Sequence, residues 1–362
     1  MSSSPFLPPS RSRDRRRRRR SRRATPTGVL VAALLLTTAV VLVLTRPWSS
    51  HAVAASPGER GRSHARAGGP GRSALPLSPV GLPLGRPPLA LDLADPRANP
   101  LRVHFHEPPR AGVLIDLDSG RVLWQRHPLQ RVRIASLTKM MTALLTVRAA
   151  PADAHVLITK QAEETSGSKV GVLPRGRRVR LESLLYGLLL PSGNDAAVAL
   201  AQHVAGSVHR FVGEMNAEAA SLGMGCTRYS SPSGYYNTHN YSCAADLAEL
   251  AREDLREPRI AQITRRRAAV LHFPIKGGKL YLYNNNPLLV YGYPGATGLK
   301  TGYTIEAGRC LVATAERHGV RLAVVLLHSS APGVQARDLL DSAFRRVYHQ
   351  RPVHEPPMPP GA

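Results

Sequence analysis

Ser136 and Lys139 stand three residues apart in the run Ile134-Ala135-Ser136-Leu137-Thr138-Lys139-Met140-Met141. In a helix that spacing puts the hydroxyl and the amine on one face, a turn apart. A serine hydroxyl is a weak nucleophile at neutral pH and needs a base beside it. A lysine can be that base where burial and neighbouring cations lower its pKa. The chemistry implied is nucleophilic attack by a serine hydroxyl that a neighbouring amine deprotonates. With Ser136 opening the helix, its own N–H is free and the helix dipole favours a developing oxyanion.

Two later segments supply the rest of such a site. In Ser192-Gly193-Asn194, Ser192 is a candidate proton relay to a leaving amine, and Asn194 can orient Lys139 and hydrogen-bond a substrate amide. In Lys300-Thr301-Gly302, Lys300 adds positive field near a substrate carboxylate and keeps Lys139 partly neutral, while Thr301 can donate to that carboxylate. Gly302 permits close approach of a substrate backbone to an edge strand, and the N–H of Tyr303 is a candidate second oxyanion donor. Singly, these segments have plainer readings: a helix cap, a loop and a turn. Their occurrence together, in this order, favours the catalytic reading.

The elements that must position these residues are legible in part. Ala111 to Leu117 and Arg121 to Gln125, joined by Asp118-Ser119-Gly120, read as a β-hairpin leading to the Ser136 helix. Leu181 to Leu190 reads as a buried helix ending at Pro191. Asn194 to Val204 and Phe211 to Leu222 are helices, the second closed by Gly223. Ala244 to Arg252 is another, with Ser242 as its cap. Cys310 to Ala315 and Val320 to Leu327 read as buried strands around a turn at His318-Gly319, and Val334 to Tyr348 is a closing helix. Strands at both ends with helices between predict an α+β (mixed α/β) fold: an antiparallel sheet flanked by helices, with a smaller helical lobe.

The core from Ala111 to Tyr348 resembles the serine-type D-alanyl-D-alanine carboxypeptidases, the low-molecular-mass penicillin-binding protein family. Beyond the three motifs, the resemblance rests on Leu188-Leu189-Leu190-Pro191-Ser192-Gly193-Asn194-Asp195-Ala196-Ala197, Met215-Asn216, Leu222-Gly223-Met224, Ser231-Pro232-Ser233-Gly234, and Gly298 through Thr304 with Ala307-Gly308. It implies attack by Ser136 on the carbonyl between the last two D-alanines of a peptidoglycan stem peptide, with hydrolysis of the acyl-enzyme to follow. It also implies acylation by β-lactams, and no cofactor. Arg337 falls where the family often carries a basic residue that can bind the terminal carboxylate; a surface arginine is the alternative. A β-lactamase or DD-endopeptidase on the same fold, and a non-catalytic wall-binding relative, are competing readings. Ser-Gly-Asn in place of Ser-Asp-Asn, and no acidic deacylation motif, weigh against the β-lactamase. The intact Ser136, Lys139, Ser192, Asn194, Lys300 and Thr301 weigh against the wall-binding relative.

Charge and composition place this core outside the membrane. Across 362 residues, 49 Lys or Arg against 24 Asp or Glu give a net charge of +25. The densest basic run, Arg11 to Arg23, holds ten Arg and one Asp. Such a run can bind nucleic acid, but it precedes 18 uncharged residues, Gly28 to Thr45, and a bilayer needs roughly 20. Residues 1–27 are therefore expected to be cytoplasmic, residues 28–45 a membrane anchor, and no nucleic-acid partner is expected. A cleaved signal peptide is the alternative, with Ala52-Val53-Ala54 as a small-x-small site. Either way the core is exported to the cell envelope. Residues 46–109 read as a disordered Pro/Gly/Arg-rich spacer, residues 110–348 as the catalytic domain and residues 349–362 as a disordered tail. No C-terminal β-domain with an amphipathic helix is expected, leaving tethering to the N-terminal segment. Of three cysteines, Cys226 and Cys243 flank the Ser231-Pro232-Ser233-Gly234 turn and are expected to form a disulfide, with a pair of free thiols as the alternative. Cys310 is expected to be a buried thiol in a strand. No His, Cys or acidic group has metal-ligand spacing.

Overall fold

The computed structural model describes Leu91, Leu93 and residues 99–235, 239–353, 357–359 and 361–362. The chain divides into two units, Met1–Gly69 and Pro70–Ala362, and the described residues fall in the second. The Arg-rich segment 1–27 and the apolar segment 28–45 lie outside them. Among the described residues no helix is long and apolar enough to cross a membrane.

Among the described residues the first strands are β1 (Ala111–Asp116) and β2 (Val122–Arg126), the expected hairpin. Next come β3 (Val132–Arg133), a single 3-10 turn (Ala135–Thr138) and α1 (Lys139–Ala149). Two short strands, β4 (His155–Leu157) and β5 (Arg178–Arg180), bracket α2 (Lys160–Glu163). Then α3 (Leu181–Leu189), α4 (Asn194–Ala205) and α5 (Val208–Ser221) follow closely. β6 (Tyr241–Ser242), α6 (Ala244–Arg256), α7 (Pro258–Thr264), the hairpin β7 (Ala268–His272) and β8 (Lys279–Tyr283), and α8 (Pro287–Val290) lead back to the sheet. The chain closes with β9 (Ala296–Thr304), β10 (Gly308–Arg317), β11 (Val320–Ser329) and α9 (Pro332–Arg346).

Five strands make one antiparallel sheet in the order β2-β1-β11-β10-β9. Alternation along β10 divides the interior. Cys310 and Val312 join a core with residues of α1, α3, α4 and α6. Leu311, Ala313 and Ala315 join a second core against Leu339, Leu340 and Phe344 of α9. Both faces are thus buried, which explains why β1 is apolar along nearly its whole length. The expected mixed architecture, an antiparallel sheet flanked by helices, is the architecture found.

Several expectations shift. The spacer does not run unbroken to residue 109: Leu101 is buried in the α9-side core, and Phe105 meets Trp124 of β2 edge-on. Apolar residues inside a Pro-rich stretch found an exposed side of the hairpin to cover. The described part of segment 349–362 is also engaged. Gln350 donates to the Arg317 carbonyl at 3.0 Å, and the Gly333 N–H donates to Ala362 O at 2.9 Å. Ser242 belongs to β6, and the N-cap of α6 is Cys243. One buried charge cluster ties the helices together: the Arg148 guanidinium contacts Glu218, Glu253 and Glu257 at 2.7, 2.9 and 2.9 Å.

Candidate active site

Ser136 is presented by a strained turn. It lies in the 3-10 segment between β3 and α1, behind Ala135, whose φ of 47° is left-handed. Such a conformation costs a non-glycine residue of order 1 kcal/mol and marks a built position. Lys139 is the first residue of α1 and is fully buried. The expected geometry of hydroxyl and amine one turn apart is realised: Lys139 Nζ lies 2.8 Å from Ser136 Oγ. Nζ also donates to Asn194 Oδ1 at 2.7 Å and to the Ser233 carbonyl at 2.9 Å.

Each contact has its own support. Asn194 opens α4, and its Nδ2 donates to the Ser166 carbonyl at 2.7 Å, so the amide is fixed at both ends. Next to it, the Asp195 carboxylate accepts from the N–H groups of Val170, Gly171 and Ala196, which pins the loop between α2 and β5 against α4. Ser233 lies in the turn Ser231-Pro232-Ser233-Gly234, and Thr142 of α1 donates to the Pro232 carbonyl at 2.7 Å. Gly234 has φ 76°, and a Cβ there would stand 2.0 Å from the Ala135 carbonyl oxygen. Only glycine lets this loop reach the Ser136 turn.

Burial first, and the Lys300 charge second, hold the Lys139 amine well below the usual lysine range; Asp195 opposes them. Lys300 is also buried, and burial brings its amine down to about 7. Its Nζ donates to the Thr301 carbonyl at 3.0 Å. Gly302 explains how β9 comes so near: a Cβ there would lie 2.8 Å from the Ile134 carbonyl oxygen and 3.1 Å from the Ser136 nitrogen. Ser192 has φ 69°, and its buried hydroxyl has no hydrogen-bond partner among the described residues.

A cleft of ≈ 470 Å³ opens over these groups, and Ser136, Ser192, Thr301, Gly302 and Tyr303 line it. Eight expected site residues, Ser136, Lys139, Ser192, Asn194, Lys300, Thr301, Gly302 and Tyr303, thus gather in or beneath one depression. Arg337 does not join them. Its guanidinium pairs with Asp338 at 2.8 Å on α9, and it is not among the lining residues. Arg309 of β10 lines the cleft instead, donating to the Ser330 carbonyl at 2.7 Å and the Gly361 carbonyl at 3.0 Å. Its signal in the sequence was only its place beside the third motif. The Ser233 carbonyl had none, since a main-chain oxygen carries no residue type.

The expected Cys226–Cys243 bridge is absent from the structure, which holds all three cysteines as free thiols. The two sulfurs are neighbours but unbonded: Cys226 Sγ lies within 4.8 Å of Cys243 Sγ and donates to the Leu129 carbonyl at 3.6 Å, while Cys243 caps α6. Cys310 is a buried thiol in β10, as expected.

Comparison with known proteins gives a consistent set of likenesses. A family model described as D-alanyl-D-alanine carboxypeptidase matches residues 107–331. A D-alanyl-D-alanine carboxypeptidase of Bacillus subtilis is 34% identical over 254 residues, 68% of this chain and 64% of that protein. The chain thus covers less than two thirds of that relative's length. A D-alanyl-D-alanine endopeptidase of Pseudomonas aeruginosa is 35% identical over 236 residues, 60% of this chain and 75% of its own. The crystal structure of a D-alanyl-D-alanine carboxypeptidase from Mycobacterium tuberculosis superposes with a TM-score of 0.64 at 33% identity, covering 71% of this chain and 97% of that one.

Proposed function

This chain belongs to the D-alanyl-D-alanine carboxypeptidase family, and from that premise we propose that it is a serine-type hydrolase of the cell envelope that removes the terminal D-alanine from peptidoglycan stem pentapeptides. The observation that carries the reading is the partner set of the Lys139 amine. A neutral amine has two N–H bonds and one lone pair. The oxygens of Asn194 and Ser233 account for the two N–H bonds, which leaves the lone pair for the Ser136 hydroxyl. Burial and the Lys300 charge lower the pKa of that amine, which favours the form that carries the lone pair.

The steps follow from this arrangement. Ser136 Oγ attacks the carbonyl carbon between the two D-alanines, and its proton passes to Lys139 Nζ. The tetrahedral oxyanion is held by the N–H groups of Ser136 and Tyr303. The C–N bond breaks, and the leaving D-alanine amine takes the proton from Lys139 through Ser192 Oγ, which has no partner among the described residues and so suits a relay. Water then hydrolyses the ester. Thr301, Lys300 and Arg309 supply donors and positive field for the substrate's terminal carboxylate. A β-lactam presents a carboxylate and a strained amide to the same groups and acylates Ser136.

Fluorescent penicillin tests the reading. Wild type is expected to label stably and to release D-alanine from a pentapeptide, and Ser136→Ala to do neither. Labelling that survives in folded Ser136→Ala overturns it, and rapid turnover of penicillin points to a β-lactamase. A DD-endopeptidase is the second reading, favoured by the named activity of the Pseudomonas relative. Cleavage of cross-linked muropeptide dimers without D-alanine release selects it. The envelope location is tested by protease shaving of intact cells, which is expected to digest the core.

A further inference from the structure

Away from the cleft, Cys226, Cys243 and Asp246 meet at the foot of α6. Their two sulfurs and a carboxylate oxygen all lie within 4.8 Å of one another. Cys243 and Asp246 are buried and Cys226 is half-buried. Cys243 is the N-cap of α6 and Asp246 lies on its first turn, so one helix start brings two of the three groups together. The third is fixed to them through its main chain: the Cys226 N–H donates to Asp246 Oδ2 at 2.8 Å. Thr227 Oγ1 donates to the same oxygen at 2.6 Å and is 2.7 Å from Ser242 Oγ. The carboxylate is therefore oriented by outer partners in the way a ligating carboxylate is.

We infer that Cys226, Cys243 and Asp246 form a binding site for a thiophilic divalent cation, Zn²⁺ by its ligand preferences, with water completing a tetrahedral set. Bond lengths of about 2.3 Å to sulfur and about 2.0 Å to oxygen place tetrahedral ligands roughly 3.5–3.8 Å apart. Reaching that from the present arrangement asks little more than about 1 Å of side-chain movement. On binding, two S–H bonds give way to two metal–thiolate bonds, and the two protons go to solvent. No electron moves.

The position gives the site a purpose. Cys226 and Cys243 are the two feet of the loop 227–242. The crest of that loop carries the Ser233 carbonyl that holds Lys139 and the Pro232 carbonyl that holds Thr142. A cation across the feet ties the loop to α6 and fixes the crest against the catalytic amine. The sequence gives no warning, because the ligand spacing matches no recognised metal pattern; the turn of the loop creates the cluster.

The test uses the full chain, reduced and freed of metal. Titration with Cd²⁺ is expected to raise a thiolate-to-metal charge-transfer band that saturates at one equivalent and is displaced by Zn²⁺. Cys226→Ser with Cys243→Ser is expected to abolish it, and Thr227→Val to weaken Zn²⁺ binding roughly 10–100-fold. In the wild type, Zn²⁺ is also expected to protect both thiols from alkylation, a readout that needs no variant to fold. Retained penicillin labelling identifies folded variants. A missing band, a band that survives the double substitution, or a chain isolated with the two sulfurs joined in a disulfide overturns the inference.

Discussion

Gly302→Ala isolates the contact between β9 and the Ser136 turn. The added Cβ would stand 2.8 Å from the Ile134 carbonyl oxygen and 3.1 Å from the Ser136 nitrogen, both main-chain atoms that cannot swing aside. To reach an ordinary 3.4 Å contact, strand and turn must separate by roughly 0.6 Å. That displacement falls between the Tyr303 N–H and the Ser136 oxyanion position it is proposed to serve. Misplacement by about 1 Å costs on the order of 10²-fold, so the acylation rate constant is expected to fall about 10–100-fold. The assay is the second-order rate of labelling by fluorescent penicillin, with unfolding temperature measured in parallel. Gly213→Ala is the control: on the exposed face of α5 its Cβ meets nothing within 4 Å, so labelling should be unchanged and stability raised by about 1 kcal/mol. Gly302→Ala labelling at the wild-type rate, with an unshifted unfolding temperature, would refute the claim that β9 forms the wall against which Ser136 works.

Arg309→Ala is expected to raise the KM for D-alanyl-D-alanine peptides about tenfold through loss of a charged hydrogen bond, whereas Arg337→Ala, whose side chain pairs with Asp338, leaves the kinetics unchanged. The folded chain releases the Lys300 proton near pH 7 while the unfolded chain keeps it to about 10.5. The unfolded state therefore binds more protons in that window, so this site makes stability rise with pH from about 7 upward and that gain is lost below; Lys139 acts in the same sense. Urea unfolding across this range is expected to show a smaller slope with pH in Lys300→Met. Arg148→Met removes the cation shared by Glu218, Glu253 and Glu257, leaving Arg256 paired with Glu253 alone, and is expected to cost about 3 kcal/mol in urea unfolding.

What could be foreseen from the chain depended on whether a function resides in a side chain or in the path of the backbone. Ser136, Lys139, Asn194 and Lys300 announce themselves by type and spacing, and the structure brings them together. The Ser233 carbonyl does not, although at 2.9 Å it too accepts from Lys139. The long apolar strands β10 and β11 were legible because both faces are buried. β4 and β5 were not: each buries only its middle residue, Val156 or Val179, between exposed neighbours, too short for alternation to register. The cap of α6 was displaced by one residue because Ser242 is held in the β3–β6 pairing. Arg337 was placed correctly on a helix, but which side of that helix meets the cleft depends on how α9 packs over β10 and β11, and that rotation is not local information.

β9 is the last strand in the order β2-β1-β11-β10-β9, and the residues of its outer side, Thr301 to Tyr303, border the cleft. An extended peptide entering there meets a ready-made ladder and can bind as a sixth strand, recognised first through its amides and not its side chains. Because side chains alternate across a strand, only every second residue of such a guest would face the protein. Discrimination would then be strict at those positions and slack between them, and a guest with a proline in the ladder would lose a rung.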